Sequence, residues 1–427
     1  MTGSQAGFGA ILVAIGSLIA VASIVRRSLF HPVPLYLSSH LVALGAGTFG
    51  LLGYKMRFAT DNLVVIFSFH AALVLGAVCA SLVQRDSSSP RSDGASLANG
   101  TAIEYGLMAF GIAGMFLLRL RAGSWPLLAD DPAEARGDFL PGRWATGLFT
   151  IAVLGLVVGI HNWGRSHGWI RLAMIGILAL LISLSGNRGF LVLAAVYAIA
   201  DIEVVHKRNV TLLALVGGAV LGVAFIVIGL QRGGQGMAYG LRMIDAVTMV
   251  YGYLCNGYWN LDLALTRYGI TGHPLQWGIG SFAGIWYWFT DPFSVFKSLM
   301  LDTLLNESVM RFNGLNSAAY EWVFIKDFGL VGALVATFLI GSALRMTWAG
   351  ARRGNAMSAM IYPCLAYHIV FSFNIFGMVE GIMTGALIGL GIYGWFAGRV
   401  PTRSRTPDEE PDAGLELLAS EDGEQRS

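Results

Sequence analysis

The stretch from Arg311 to Arg345 combines ionisable side chains with an apolar segment about as long as a bilayer core is thick. Glu321, Lys326 and Asp327 lie in the first half of that stretch. Ionisable groups at membrane depth are costly and are usually buried in protein or turned towards a water-filled cavity. The stretch is therefore the first candidate for a functional site.

Helical spacing places four residues of this stretch on one face. They fall at i, i+4, i+7 and i+11 and are Asn316, Tyr320, Val323 and Asp327. On a straight helix, Asp327 would lie roughly 16 Å deeper than Asn316. The two residues would line one cavity without touching the same substrate atom. In the competing interpretation, Asp327 and Lys326 simply satisfy each other within a helix bundle.

The composition is that of a membrane protein. Of the 427 residues, 55% are hydrophobic and only 13% are charged, about half the charged fraction of soluble domains. Apolar runs near twenty residues recur along the chain, which predicts an all-α, polytopic bundle of transmembrane helices. The three cysteines show no metal-ligand or redox spacing and are interpreted as small apolar residues.

About eleven spans are predicted from these apolar runs, and the first is expected to be a span and not a signal peptide. They are 8–25, 35–53, 62–83, 102–120, 144–161, 169–184, 189–205, 210–229, 318–343, 356–377 and 380–397. Basic clusters set the orientation. The clusters 206–208, 345–353 and 399–405 are expected on the cytoplasmic side, which leaves 230–317 outside as one large extracytoplasmic loop.

The alternative makes 243–265 a span of its own. That segment contains Asp245, Asn256, Asn260 and Asp262 and many aromatic residues, a composition that suits an interfacial or re-entrant helix better. The preferred organisation is given by four ranges. They are N-terminal transmembrane helices at 1–229, the outer loop with interfacial helices at 230–317, C-terminal transmembrane helices at 318–398 and a disordered cytoplasmic tail at 399–427.

Aromatic residues crowd the outer loop at 257–260, 273–282 and 284–293. They are suited to stacking on sugar rings or to anchoring a belt at the lipid headgroups, and the sequence leaves both open. Guanidinium groups match phosphate oxygens bidentately, so arginines near the loop are candidates for holding a phosphate or diphosphate. They are Arg188, Arg232, Arg242, Arg267 and Arg311, beside Lys297. Arg188 stands out because it begins an apolar span with few acids nearby.

Candidates for a general base are numerous, and spacing does not choose among them. They are Asp245, Asp262, Asp291, Asp302, Glu307, Glu321 and His273. The sequence contains no Gly-rich phosphate loop with its lysine, no HExxH helix and no CxxC pair. It also has no cytoplasmic segment long enough to fold into a nucleotide-sugar-binding domain. Any glycosyl donor is therefore expected to be membrane-borne or reached from outside.

Two short motifs resemble elements of bacterial oligosaccharide repeat-unit polymerases, the O-antigen polymerase group. Ser185-Gly-Asn-Arg188-Gly resembles their S-x-x-R-G element at the head of an apolar span. Asn316, Tyr320 and then Lys326-Asp327-Phe328-Gly329-Leu-Val-Gly332 resemble a later element, an Asn followed by aromatics and a D-F-G-x-x-G span. The resemblance covers roughly 180–345. Elsewhere it rests on the number of spans.

The resemblance implies a C-type glycosyltransferase fold in the bacterial plasma membrane. Such enzymes move a growing chain from its undecaprenyl diphosphate to the next lipid-linked unit at the outer face, with no metal, nucleotide sugar or other cofactor. The implied partners are the lipid-linked oligosaccharide, membrane lipids, a flippase and a chain-length regulator, and no nucleic acid. Arg188 would face the diphosphate and Asn316 would lie at the sugar–diphosphate junction.

For transfer of a glycan from a lipid diphosphate, the candidate residues form a catalytic set and a substrate-binding set. The catalytic candidates are Arg188, Arg232, Asn316 and Glu321, and the substrate-binding candidates are Arg242, Arg311, Tyr320, Asp327 and His273. Fixed arginines would stabilise charge that develops on the leaving diphosphate, and a carboxylate would assist deprotonation of the acceptor hydroxyl. Glu321 and Asp302 are the leading candidates for that base.

Three alternatives stay open. Related ligases usually have His-Asn where this chain has Leu315-Asn316, which favours a polymerase over a ligase or another polyprenyl-linked transferase. Transporters often show paired broken helices and internal symmetry, and the sequence shows neither. The third alternative is a non-enzymatic assembly subunit of an envelope complex, in which the arginines would tolerate substitution.

Overall fold

A computed structural model describes ten parts of the chain. They are residues 3–49, 58–84, 100–140, 142–164, 168–218, 243–270, 275, 277–289, 319–373 and 381–397. Within these residues the regular structure is helical, with no strand, as the all-α prediction expected.

The helices are numbered here in chain order. They are α1 (Gly3–Val25), α2 (Pro32–Phe49), α3 (Thr60–Gln84), α4 (Gly100–Ala122), α5 (Pro132–Phe139), α6 (Arg143–Trp163), α7 (Trp169–Leu184), α8 (Arg188–Val204), α9 (Met243–Tyr268), α10 (Tyr320–Arg352), α11 (Ala356–Phe371) and α12 (Gly381–Ala397). Shorter helical pieces occur at Pro126–Leu128, 211–218 and Ala283–Trp286.

Five of these helices are long and apolar enough to cross a bilayer. They are the segments Gln5–Val25, Thr60–Gln84, Ala102–Ala122, Arg143–Trp163 and Tyr320–Arg352. Trp169–Leu184, Ala356–Phe371 and Gly381–Ala397 are shorter apolar helices. The chain thus has the helices of a membrane protein, while the number of crossings near eleven and the outer loop at 230–317 stay predictions.

Close helix contacts in the bundle depend on glycines, as is common where the hydrophobic effect does not drive helices together. Gly76 of α3 lies against the Phe338 carbonyl of α10, and Gly341 of α10 lies against the Leu73 carbonyl of α3. The Ser342 hydroxyl also donates to the Gly76 carbonyl oxygen at 2.9 Å. These contacts let the backbones of α3 and α10 meet along much of their length.

One end of the bundle collects basic residues from distant parts of the sequence. The Phe30 amide donates to Glu203 at 2.9 Å, and the His31 ring packs edge-on against Trp348 with centroids 4.6 Å apart. We call this the basic end, and it carries Arg26–Arg27, His206-Lys207-Arg208 and Arg345–Arg353. The clusters 206–208 and 345–353 therefore lie at one end of the bundle, and the cytoplasmic location of that end stays a prediction.

Helix α9 lies in the loop that was predicted to stay outside. Its contacts fall near the ends of α2 and α3 that are remote from the basic end: the Tyr251 hydroxyl donates to the Ala46 carbonyl at 2.6 Å and the Trp259 indole to Gly47 at 3.1 Å. Asn62 donates to Asp262 at 2.8 Å. The helix is not among the five candidate spans, which is compatible with the interfacial interpretation.

Helix α10 is not the straight segment that the sequence predicted for 318–343. Gly329 has φ 66° and ψ 177°, a non-helical conformation inside α10. Tyr320 and Thr337 interact through their side chains, although a straight helix would separate them by about 25 Å along its axis. The chain therefore bends sharply at Gly329, and the first arm of α10, 320–328, returns against the second arm, 330–352.

The bend leaves Tyr320, Val323 and Asp327 of the predicted face together on the first arm of α10. All residues from Tyr320 to Asp327 are buried, whereas the second arm alternates between buried and exposed positions. Asp327 lies close to the bend. The expectation that Asp327 lies about 16 Å deeper than Asn316 stays a prediction, because Asn316 lies outside the described residues and α10 begins at Tyr320, after an extended Ala319.

The close approach of α3 and α10 gives a first test. A Gly76→Ala substitution places a Cβ against the Phe338 carbonyl, so we expect it to destabilise the protein by about 1–3 kcal/mol. The midpoint of thermal unfolding in detergent reports the change. Gly106→Ala in α4 is the control, since nothing lies within 4 Å of its new Cβ. Equal midpoints for the two variants would contradict close packing at Gly76.

The basic end gives a second test, at His31 in the turn before α2. Burial, then the charges of Arg345 and Arg352, lower the pKa of His31 to about 4. The unfolded chain therefore binds a proton that the folded chain does not, so stability should fall as the pH drops from about 6.5 towards 4. His31→Gln should flatten that fall in unfolding measured against pH. An unchanged slope would contradict the burial of a neutral His31.

Candidate functional site

A group of polar side chains meets inside the bundle, away from the basic end. We call it the buried polar cluster, and it consists of Tyr36 and His40 of α2, His70 of α3, Tyr258 of α9, and Tyr320 and Glu321 of α10. All six are buried. Tyr36 and His40 are four residues apart and so share one face of α2.

Hydrogen bonds connect most of the cluster in one continuous chain. The Tyr36 hydroxyl is 2.8 Å from both the Tyr320 hydroxyl and His70 Nδ1. His70 Nε2 is 3.5 Å from the Tyr258 hydroxyl, which is 2.5 Å from His40 Nδ1. His40 Nε2 is in turn 2.8 Å from the Ser372 hydroxyl at the end of α11. Side chains from five parts of the fold are thereby tied together.

Glu321 differs from its neighbours because neither of its carboxylate oxygens has a hydrogen bond to a described residue. Its side chain is fully buried. The Tyr258 hydroxyl is close enough for a weak hydrogen-bonding and electrostatic interaction with this carboxylate, but it lies outside the geometry of a full hydrogen bond. A buried carboxylate without a partner is expensive unless it takes up a proton or a cation. The cluster can therefore hold a proton or a positively charged ion.

Arg188 is positioned by a turn between α7 and α8. Gly186 has φ 71°, a conformation that favours glycine, and this reverses the chain after Ser185. The Ser185 hydroxyl donates to the Ile182 carbonyl at 2.6 Å, and Asn187 donates to the Ser185 hydroxyl at 3.1 Å. These bonds explain the pattern S-x-N-R-G locally, because they place Arg188 as the first residue of α8.

The two motif elements approach each other through α11. Gly189, beside Arg188, has the Tyr367 hydroxyl 3.6 Å from the position of its missing Cβ. Five residues later, the Ser372 carbonyl accepts the Tyr320 amide at 3.1 Å. Elements more than a hundred residues apart in sequence thus contact the last two turns of one helix. His368, also buried there, has neither ring nitrogen hydrogen-bonded to a residue that the structure describes.

Asp327 holds a loop against the bend of α10. Its carboxylate oxygens accept the amides of Gly280 at 3.0 Å and Ser281 at 2.5 Å. Its backbone carbonyl accepts the Trp277 amide at 2.9 Å. Both oxygens of Asp327 are therefore engaged by backbone amides, which accounts for its complete burial. A role in binding substrate stays a prediction for this residue.

The structure brings together only part of the residues predicted for the site. Tyr320 and Glu321 lie in the buried polar cluster, and Asp327 lies at the far end of the same arm. Arg188 is placed by its backbone alone, since its side chain is outside what the structure describes. The other five candidates are outside the described residues altogether: Arg232, Arg242, His273, Arg311 and Asn316.

Sequence reasoning missed four members of the cluster, namely Tyr36, His40, His70 and Tyr258. A signal for two of them was present. His40 and His70 are histidines inside apolar segments, and ionisable residues at membrane depth mark candidate sites just as Glu321 does. The bases predicted from sequence all lie in the loop or next to it. Nothing in the sequence indicated that α2 and α3 meet the first arm of α10.

Two further groups of buried polar side chains are hydrogen-bonded among themselves. Arg171 forms a bidentate pair with Glu104, and Asn162 joins Glu104 to the Tyr393 hydroxyl with bonds of 3.0 Å each. His161 Nδ1 is 2.7 Å from the Asp201 carboxylate. Because their polar atoms are paired within the protein, these groups fit a role in holding helices together.

Comparisons with known proteins give no further identification: no family model matches this chain, and no curated protein or solved structure matches it either.

The loop held by Asp327 gives a third test. Asp327→Asn replaces one acceptor oxygen by an amide that cannot accept, so one of the two loop amides loses its partner. We expect faster hydrogen exchange at Gly280 and Ser281, measured by mass spectrometry of peptides from this loop. Asp138→Asn on the exposed face of α5 is the control. Unchanged exchange in Asp327→Asn would show that these bonds do not hold the loop.

Proposed function

We propose that this chain is a membrane-embedded polymerase that joins oligosaccharide repeat units carried on a polyprenyl diphosphate. The observation that carries the proposal is the approach of the S-x-x-R-G element and the first arm of α10 at the end of α11. Both elements resemble motifs of the O-antigen polymerase group. Their proximity is what a shared active site requires of them.

Arg188 is proposed to stabilise the leaving group. Transfer breaks the bond between the anomeric carbon and a diphosphate oxygen, so negative charge develops on the diphosphate. Arg188 is the first residue of α8, where unpaired backbone amides and the helix dipole also favour an anion. A guanidinium in a partly dry site adds bidentate hydrogen bonds to phosphate oxygens. Asn316 is proposed to lie at the sugar–diphosphate junction, as the resemblance implies.

The basic end is proposed to face the cytoplasm, on the positive-inside rule. The N-terminus of α8, the bend of α10 and the loop held by Asp327 are then on the outer side. That side is where a lipid-linked repeat unit would be joined. We further propose that the membrane is the bacterial plasma membrane.

The general base is left open in this proposal. Glu321 was predicted for that role, but its complete burial among His40, His70 and Tyr258 places it within the protein. The acidic residues between 290 and 318 lie outside the described residues and stay candidates. The proposal therefore depends on Arg188 and Asn316 and does not require Glu321 to contact the acceptor.

A second candidate function is transport of a polyprenyl-linked glycan coupled to protons. Two observations favour it: the continuous hydrogen-bond chain from Tyr320 to Ser372, and the broken helix at Gly329. Proton relays of histidine and carboxylate, and interrupted helices, are both found in transporters. A transporter would move lipid-linked repeat units across the membrane without changing their length.

Deletion of the gene separates the two functions. For a polymerase, gels of surface polysaccharide should lose long chains while single repeat units persist on lipid at the outer face. For a transporter, lipid-linked units should accumulate on the cytoplasmic side, where they are protected from periplasmic or external glycosidases. Unchanged chain lengths would contradict the polymerase proposal.

Arg188 gives the fourth test. Arg188→Ala should abolish long polymer with the protein retained in the membrane, and Arg188→Lys should restore little, because an ammonium cannot replace bidentate binding. We expect a loss of at least about 100-fold in polymer formation, the scale of removing one transition-state contact. Arg208→Ala at the basic end is the matched control and should leave chain length unchanged. Long polymer in Arg188→Ala would contradict the assignment.

A further inference from the structure

We propose that His40, His70 and Glu321 bind a divalent transition-metal cation, with Zn²⁺ as the best match. One ligand atom from each of the three side chains lies within 4.8 Å of the other two. Ligands of a tetrahedral zinc ion lie about 3.4 Å apart, given bonds of about 2.0–2.2 Å. The ligand atoms therefore need to approach one another by at most about 1.4 Å to hold an ion.

Each of the two histidines has one ring nitrogen bonded to a side chain outside the proposed ligand set, here called the outer nitrogen. The other ring nitrogen is called the inner one. His40 Nε2 bonds to Ser372 and His70 Nδ1 bonds to Tyr36, each at 2.8 Å. The inner nitrogens, His40 Nδ1 and His70 Nε2, both face the Tyr258 hydroxyl. Metal-bound histidines almost always use their second ring nitrogen in this way, because that bond fixes the tautomer and orients the ring.

The Tyr258 hydroxyl marks the place where the inner nitrogens converge. It lies 2.5 Å from His40 Nδ1 and 3.5 Å from His70 Nε2, and it also interacts with Glu321. An ion between the three side chains would displace this hydroxyl slightly or take it as a fourth ligand. The donor set of two imidazoles and one carboxylate with a fourth oxygen is one that zinc commonly accepts.

Charge balance also points to a cation. Both oxygens of Glu321 are buried without a hydrogen-bond partner among the described residues. A cation held by Glu321 and two neutral imidazoles would coordinate the carboxylate and neutralise its charge. The imidazoles favour zinc over magnesium, which prefers oxygen ligands and retains waters. The competing occupant of the site is a proton on Glu321.

The site joins α2, α3 and the first arm of α10, so a bound ion would fix that arm against the bundle. This inference does not rest on the proposed function, since it would hold for a polymerase or a transporter alike. It would give Glu321 the role of a ligand, and the base would then be another residue.

The fifth test measures metal content. Wild-type protein in nanodiscs, stripped with a chelator and reloaded with a slight excess of Zn²⁺, should retain about one ion per chain after desalting. Reloading with Co²⁺ should give the visible absorption of a four-coordinate site, and Mg²⁺ should not compete. Wild-type protein that retains no Zn²⁺, or that Mg²⁺ fills equally well, would overturn the proposal.

Variants assign the ligands. His40→Gln, His70→Gln and Glu321→Gln should each lose the ion, whereas His161→Gln removes a buried histidine elsewhere and should keep it. Tyr258→Phe keeps the three ligands, so it should retain zinc but alter the cobalt spectrum. Size-exclusion elution checks that each variant is folded. Retention of zinc by folded Glu321→Gln and His70→Gln would overturn the assignment, and wild-type stoichiometry decides the matter if those variants aggregate.

Discussion

The arrangement of the site depends on the backbone conformation of Gly329. Its φ of 66° and ψ of 177° would cost a residue with a Cβ about 1–3 kcal/mol. Without the bend, Tyr320 could not reach Thr337, and Glu321 would project from the end of a long helix. With it, a buried first arm lies against the second arm and meets α2, α3 and α11. Interrupted helices at membrane depth are tolerated where protein covers the freed backbone groups. The loop at 277–281 does this here, through Asp327.

Polar side chains inside an apolar bundle are expensive, and this chain contains several groups of them. Most are satisfied internally: Arg171 by Glu104, and Asp201 by His161. Such pairs fasten helices to one another without requiring a ligand. Glu321 is different because its carboxylate is buried without a hydrogen bond to any described residue. That difference is the reason that a cation is proposed at Glu321 and not at Glu104.

Hydropathy and charge predicted much of the fold, because long apolar runs in a membrane have few alternatives to helices. The predicted spans at 62–83, 144–161 and 169–184 differ from α3, α6 and α7 by only a few residues at each end. The bend was within reach of sequence reasoning too, since Gly329 interrupts an otherwise helical pattern. An isolated glycine is nevertheless tolerated in many helices, so its presence alone does not indicate a break.

The candidate site was predictable only in part, since it depends on which helices touch. Glu321 was visible as an ionisable residue in an apolar segment, and the same argument could have found His40 and His70. Their convergence could not be read from sequence, because α10 lies more than two hundred residues after α2 and α3. The turn at Ser185–Asn187, by contrast, is local, and its hydrogen bonds come from the side chains of Ser185 and Asn187 themselves.

The central claim is that α10 bends at Gly329 and returns Tyr320 and Glu321 to the bundle interior. A cryo-electron microscopy map of the full chain in lipid nanodiscs, with side chains resolved between residues 319 and 352, tests it most directly. We expect a sharp bend at Gly329, with Tyr320 beside Thr337 and Glu321 facing His40 and His70. A continuous helix through Gly329, with Tyr320 about 25 Å from Thr337 along its axis, would contradict it.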